Sequence, residues 1–458
     1  MMGRGLGGAA IAAMLLCFTP HIARADAATD ARLAAMEARI SQLEGKVEAD
    51  QKTIDDQAAM LKSQATPAVS QGTAPASALD AFLNTVQING FVAASYQYSF
   101  NNPDNPLFAN ATNQFNVDHN TFSLDAAKIE LYRPATNPGD AGFQLDLTYG
   151  ANALILGGTR GSFSTGTMSN EGFYIQDMNV QYNWDNVLFK FGQWETLLGY
   201  EVIDSIANKN ITHGLLFTYA IPLVHTGLQA SGKIGESGMG WAGALVNGWN
   251  NSTDTNDNKG LLGQLNYANS DSSVSTYFSM YYGADGNTGF ADPTSTALAV
   301  KRPSTAPAIV MDWNGTFVAN EKLTFWANAD WGIQKNVIYF AGPNAGKNLD
   351  PVWYGLALGS QWTFTDKLSL AVRGEWLRDT AGYRIVVGNN TSAYSLTGTL
   401  AYKLTTNLLA RAEFRYDALT SDGFGDHLFP SDRTANTGLP NLSNNNYQGI
   451  AQIAYIFD

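Results

Sequence analysis

Tyr394-Ser395-Leu396-Thr397-Gly398-Thr399-Leu400-Ala401-Tyr402-Lys403-Leu404 alternates apolar and polar residues, with only the small Ala401 out of step. The turn Thr405-Thr406-Asn407 follows. Arg411, Glu413, Arg415 and Asp417 then alternate with Ala412, Phe414 and Tyr416. A period of two sends the two sets to opposite faces of a strand. Charges on one face and large apolar groups on the other suit a strand with lipid on one side and a water-filled lumen on the other.

The same rhythm runs outward from this hairpin. Phe143, Leu145, Leu147 and Tyr149 oppose Gln144, Asp146 and Thr148, and Leu323 to Ile333 alternate with Thr324, Asn328 and Asp330. Sixteen such segments are predicted, near 84–100, 118–134, 141–153, 171–185, 187–200, 224–234, 239–250, 258–270, 273–285, 307–320, 322–337, 350–365, 367–380, 392–405, 407–419 and 446–458. Short turns such as Trp184-Asp185-Asn186 and Gly235-Glu236-Ser237-Gly238 alternate with long connections at 101–117, 154–170, 201–223, 286–306, 338–349, 381–391 and 420–445, with a shorter one at 251–257. No apolar run is long enough for a membrane helix. The expected fold is an all-β transmembrane antiparallel barrel of about sixteen strands over 84–458, with an N-terminal periplasmic helical coiled coil. Short turns face the periplasm in such barrels, and an even strand number leaves both barrel ends there.

Ahead of the barrel, residues 1–25 read as a signal peptide: Arg4, the apolar stretch Leu6 to Phe18, and the small-x-small site Ala23-Arg24-Ala25. Leu16 before Cys17 argues against a lipoprotein cysteine. Within 26–64, Leu33, Ile40, Val47, Ile54 and Leu61 hold one register of a heptad, with Met36 and Leu43 in the other. The 65–83 stretch, with Pro67 and Pro75, reads as a linker. The net charge of −13 becomes −15 once Arg4 and Arg24 are removed, which argues against a nucleic-acid partner. Only 15% of residues are charged and 12% are aromatic, as a barrel with half of each strand in lipid requires.

The connection Glu201 to Leu223 carries more apolar surface than an exposed loop tolerates, through Ile203, Ile206, Ile211, Leu215, Leu216, Phe217 and Ile221. It is expected to fold inward and narrow the pore, bringing Glu201, Asp204, Lys209, His213, Phe217, Tyr219 and Pro222 to the constriction. Packing over the rim or against a neighbouring subunit is the alternative. Alternation also turns Asp146, Asp177, Asp312, Asp330, Arg373, Glu375, Arg411, Glu413 and Arg415 towards the lumen. Basic residues facing acids across the pore would create a transverse field, whereas local pairing would cancel it. His119, His213, His225 and His427 lack metal-ligand spacing, and no nucleophile motif, phosphate loop or Cys/His cluster occurs. Asp254 to Gly260 departs from a calcium loop, because its glycine comes one position late and the ligating Glu is absent.

Lys190-Phe191-Gly192-Gln193-Trp194-Glu195, Leu198-Gly199-Tyr200-Glu201, Leu215 to Pro222, His225-Thr226-Gly227 and Leu245-Val246-Asn247-Gly248-Trp249 together resemble the putative beta-barrel porin-2 (OmpL-like) family of outer-membrane porins. The resemblance implies a pore for small solutes, with no catalytic residue, metal or cofactor. General porins also fold their third external loop into the lumen. One departure is Asp458 after Tyr455-Ile456-Phe457, since such barrels usually end on the aromatic residue that the barrel-assembly machinery reads.

The expected function is passive diffusion of small hydrophilic solutes or ions across the outer membrane by a lipid-embedded, non-enzymatic homo-oligomer, a trimer being favoured by analogy. A rival is a structural tether, with the coiled coil bridging the barrel to peptidoglycan. An outer-membrane hydrolase would need His119 or His225 beside a lumenal serine.

Overall fold

The computed structural model describes residues 85–102, 112–113, 115–157, 172–254, 256–284, 300–301, 305–340, 344–385, 390–421, 429–431 and 441–457. The signal segment, coiled coil, linker, His427 and Asp458 lie outside the described residues. Sixteen strands close an antiparallel barrel. They are β1 (Gln87–Ser99), β2 (Thr121–Arg133), β3 (Ala141–Gly150), β4 (Gly172–Trp184), β5 (Val187–Glu195), β6 (Val224–Ile234), β7 (Met239–Val246) and β8 (Gly260–Ala268) in the first half. The second half holds β9 (Val274–Gly283), β10 (Ala308–Asn320), β11 (Leu323–Gln334), β12 (Val352–Thr363), β13 (Leu368–Asp379), β14 (Thr391–Lys403), β15 (Leu408–Ser421) and β16 (Asn445–Phe457). β1 closes on β16 in the register Gly90↔Phe457 to Ser99↔Gln448, which leaves no free sheet edge.

Burial is inverted relative to a soluble protein. Phe191, Leu228, Leu265, Leu358, Leu396 and Phe414 are exposed on the outside. Gln176, Asp312, Arg373, Thr397, Arg415 and Gln448 are buried inside. Outward aromatic pairs mark both ends of the apolar belt. Tyr354–Trp376 and Tyr416–Tyr447, 5.5 and 4.9 Å apart, sit at the long-loop end, and Trp184–Phe189, 6.3 Å apart, at the short-turn end. Asp185 and Asn186, both at positive φ, make the two-residue turn between β4 and β5, the backbone a tight hairpin demands.

Several strand ends fall short of the expected bounds. The third strand stops at Gly150, whose φ of +133° breaks the ladder, and helix α1 (Ala151–Gly157) follows where strand was expected to 153. The fifth and seventh strands end at Glu195 and Val246, short of the expected 200 and 250, and after Glu195 the chain turns from β5 to bond to β8, β10 and β11. Short pairings also occur within connections expected to be loops: Val300–Lys301 with Val337–Tyr339 and Asn348–Leu349, and Phe429–Ser431 with Asn441–Ser443.

Two bulges matter for the lumen. Asp125 is the extra residue of β2 opposite Ala93 and Ala94. On β4, Gln176 and Asp177 together oppose Asp146 of β3, so both turn inward where strict alternation would allow only one.

Gly332 of β11 gives its space to the Trp353 ring on the neighbouring strand, since a Cβ there would lie 2.2 Å from that ring. Gly332→Ala should therefore lower thermal stability by about 1–3 kcal/mol, the usual cost of overpacking. Gly398→Ala, with nothing within 4 Å of its Cβ, should be silent. The temperature of heat-modifiable gel migration reads both.

Candidate functional site

Inside the barrel the side chains of β13, β14 and β15 form cross-strand rows. Arg373, Thr397 and Arg415 pair across the three strands, and Glu375, Ser395 and Asp417 form the next row. Along β15 the sign alternates every second residue. Neighbouring charges therefore neutralise one another. Arg415 Nε lies 2.9 Å from both carboxylate oxygens of Asp417, and Arg373 Nε lies 2.9 Å from Glu375. Local pairing thus accounts for two of the three arginines expected on this wall.

The chain between β5 and β6 is the third long connection, and it bonds to this wall. Glu413 accepts from the Ile211 and Thr212 amides at 2.5 and 3.0 Å, and from the Thr212 and Thr399 hydroxyls at 2.5 and 2.6 Å. Arg411 has no ion pair among the described residues. It donates to the Ser205 and Asn208 carbonyls at 3.1 Å and to Gln452. Arg415 donates to the His213 carbonyl and, at 3.0 Å, to that of Thr112. Arg373 donates to the Thr212 carbonyl at 2.9 Å and pairs with Glu201, which accepts from the Gly214 amide at 2.6 Å. Backbone groups with no ladder partner thus meet charged wall groups, the stronger kind of hydrogen bond.

The same segment bonds to the other walls. Lys128 of β2 donates to Asp204 at 2.6 Å and to Asp146 at 2.8 Å. Gln264 of β8 and Ser279 of β9 donate to the Leu197 carbonyl. Asn314 of β10 donates to the Gly199 carbonyl, and Asn328 of β11 accepts from the Tyr200 amide at 3.1 Å. Helix α2 (Leu215–Tyr219) leads to Ala220, whose carbonyl accepts from the Trp353 indole at 3.0 Å. Leu215, Leu216, Phe217 and Ile221 pack into an apolar cluster with Tyr281, Val310, Trp353 and Leu377 from the inner wall. Pro222 is buried and Tyr219 half-buried. Between this segment and the wall lies a cavity of about 10 Å³, room for one water, lined by Tyr200, Glu201, Phe217, Trp326, Asn328, Arg373 and Glu375.

The remaining site residues separate into two groups. Asp312 and Asp330 face each other across β10 and β11. Asp312 accepts from Asn314 and Asn328, and the Asp330 carboxylate is buried without a hydrogen-bond partner. Asp146 and Asp177 share Gln144, and Gln176 spans Glu195 and Asp204. Lys209 makes no described hydrogen bond or ion pair and is half-buried.

The family model described as putative beta-barrel porin-2, OmpL-like, matches residues 85–457, the whole of the barrel. The chain belongs to this porin family. The porin is an outer-membrane channel protein of the barrel type. It is similar in fold to the outer membrane channel DcaP of Acinetobacter baumannii, at 13% identity and a TM-score of 0.52, over 81% of this chain and 97% of that one. The anion-selective porin from Comamonas acidovorans gives 8% and 0.51 over 81% and 99%, and outer-membrane expressed OmpT of Vibrio cholerae gives 10% and 0.51 over 81% and 97%. No curated protein sequence matches the porin.

Three features of the lumen went unread in the sequence. Lys128 follows the period-two pattern of Ala126, Lys128 and Glu130, so alternation could have found it. Phe115, in a polar stretch, is fully buried against the touching His213 and Phe217 rings, at 4.8 and 6.4 Å. Arg384 stacks over Trp249 at 4.7 Å and donates to the Tyr219 carbonyl. Both residues reach the third loop from other long connections, which local pattern cannot foretell. His119 accepts the Ser99 backbone amide at 3.1 Å, and the Ser99 hydroxyl donates to Asn446, so the pair has no nucleophile–base geometry. His225 contacts Thr196 and the Gly248 carbonyl.

Glu413→Gln should loosen the third loop by about 1–3 kcal/mol, because the Ile211 and Thr212 amides lose the anion they donate to. Faster tryptic cleavage after Lys209 in the folded porin would show it.

His213 supplies a pH test. Its Nε2 lies 2.8 Å from the Val202 carbonyl, its Nδ1 is buried without a partner, and burial holds its pKa down at about 4. The ring is neutral in the docked loop, whereas a freed ring takes up a proton near its ordinary 6.5. Docking is therefore at full strength above pH 6.5 and weakens as the pH falls towards 4. Conductance noise should rise across that window and stay flat in His213→Gln.

Proposed function

We propose that the porin is a passive diffusion channel for small hydrophilic solutes or ions, with the third loop, Glu201 to Leu223, as its constriction. The observation that carries this reading is the bonding of the loop to inward side chains on β2 and β4 through Asp204, on β12 through Ala220, and on β13 and β15 through Thr212, while the residues leading into it, Leu197 to Tyr200, bond to β8 to β11. A segment tied to opposite walls must cross the lumen and take up part of its section. Solutes would then be sorted by size at that level and by charge along the wall.

The N-terminal residues 26–64 are proposed to lie in the periplasm as a coiled coil, joined to the barrel through the 65–83 linker. Assembly as a homo-oligomer is also proposed, with the trimer favoured. An OmpT structure of Vibrio cholerae described as a trimer form shares the fold at 10% identity and a TM-score of 0.50, over 81% of this chain and 99% of that one.

Single-channel recording of the refolded porin in planar bilayers should give stable ohmic steps. Replacing Ile206–Leu215 by a short Gly-Ser linker should raise the step size, since the deleted stretch holds the bonds to Glu413, Arg411 and Arg373. Removing Ala31 to Gln64 should leave conductance unchanged. A folded barrel that stays silent in both forms would end the diffusion reading and favour the tether.

A further inference from the structure

The two sides of the lumen use their charges differently. On β13 and β15 the arginines are engaged: Arg373 with Glu201 and Glu375, Arg415 with Asp417, and Arg411 with loop carbonyls. Glu201, Glu375, Glu413 and Asp417 outnumber these three arginines, so this side has no excess positive charge to draw anions. On the β2–β5 side the acids are in larger excess. Glu130, Asp146, Asp177 and Glu195 come from the wall and Asp204 from the third loop; all five lie within electrostatic range of the Lys128 ammonium, and Lys190 of β5 is a second ammonium in range of Asp177, so five acids face two cations. Lys128 is taken up by Asp146 and Asp204. Glu195 is held by the amide of Gln176 at 2.5 Å, which brings no charge.

A second observation is independent of this count. Asp177 is only 6% exposed, and its Oδ1 is buried with no hydrogen-bond partner, while its Oδ2 accepts from Gln144 at 3.1 Å. The β4 bulge is what turns this carboxylate into the cluster beside Gln176. A desolvated carboxylate oxygen with no donor is stabilised either by its own proton or by a bound cation.

We propose that Asp177 and Glu195, on the lumen wall beside Lys128 and Asp204, form a cation-binding station that makes the channel favour small hydrated cations over anions. The inference rests on the diffusion-channel reading for its consequence and on the wall geometry for the station itself. A wall carrying one sign of charge concentrates counter-ions at its surface, and the station gives them a place to dwell. Likeness of fold to an anion-selective porin does not bear on the matter, because selectivity lies in side chains that a shared fold does not fix.

Two measurements test it with the full porin. The first is the reversal potential under a potassium chloride gradient. The wild type should favour potassium, and the double variant Asp177→Asn/Glu195→Gln, shown folded by heat-modifiable migration, should lose that preference several-fold. The second is calorimetric titration of detergent-solubilised porin with calcium chloride. Heat that saturates in the wild type and is lost in the double variant supports the station. Preference for chloride in the wild type, or an unchanged ratio in the folded variant, overturns it. A silent channel that still binds calcium at these residues ends the diffusion reading and keeps the station. A silent channel without calcium binding ends both.

Discussion

Hydrocarbon offers no partner to a peptide N–H or C=O, and the molecule is arranged around that lack. The sheet must close, so β1 meets β16 and every strand has two neighbours. Closure then divides the side chains by parity. Those facing out must be apolar, and those facing in surround a space that must be either wet or filled. The interior rows of Arg, Glu, Asp, Asn and Gln follow from this division, and so does the exposed belt of Leu, Phe and Tyr.

The third loop raises the same problem again, since its irregular backbone is buried against inward side chains of the wall. The structure answers with charged wall groups. Glu413 collects backbone amides, and Arg373, Arg411 and Arg415 collect backbone carbonyls. Alternation of sign along β15 lets these groups serve the loop without leaving a net charge stranded in the wall. The apolar half of the loop meets Trp353, Tyr281 and Leu377 at the long-loop end. One segment therefore uses two solvents, a polar wall and an apolar cluster.

A consequence concerns selectivity. The arginines that hold backbone carbonyls stand among Glu201, Glu375, Glu413 and Asp417, so that wall has no surplus of positive charge. The acidic side of β2 to β5 carries the larger excess of negative charge. Glu413 accepts backbone amides of the third loop, whereas Asp177, in the bulge of β4, accepts from Gln144 of the wall.

Period-two patterning by itself determined the class of fold, the strand number and the inward set, because strand parity is a local property. Asp146, Asp312, Asp330, Arg373, Glu375, Arg411, Glu413 and Arg415 face inward as their spacing requires. The apolar content of Glu201 to Leu223 likewise marked that stretch as an unusual loop. Only the tertiary structure decided which wall the loop meets, because Glu413 and Ile211 lie far apart in the chain and share no local signal. It also decided the bulge that turns Gln176 and Asp177 inward together, which alternation alone cannot express. The entry of Phe115 and Arg384 from other long connections is of the same kind. Parity is set residue by residue, whereas contact across a closed lumen exists only once the barrel has brought its opposite walls together.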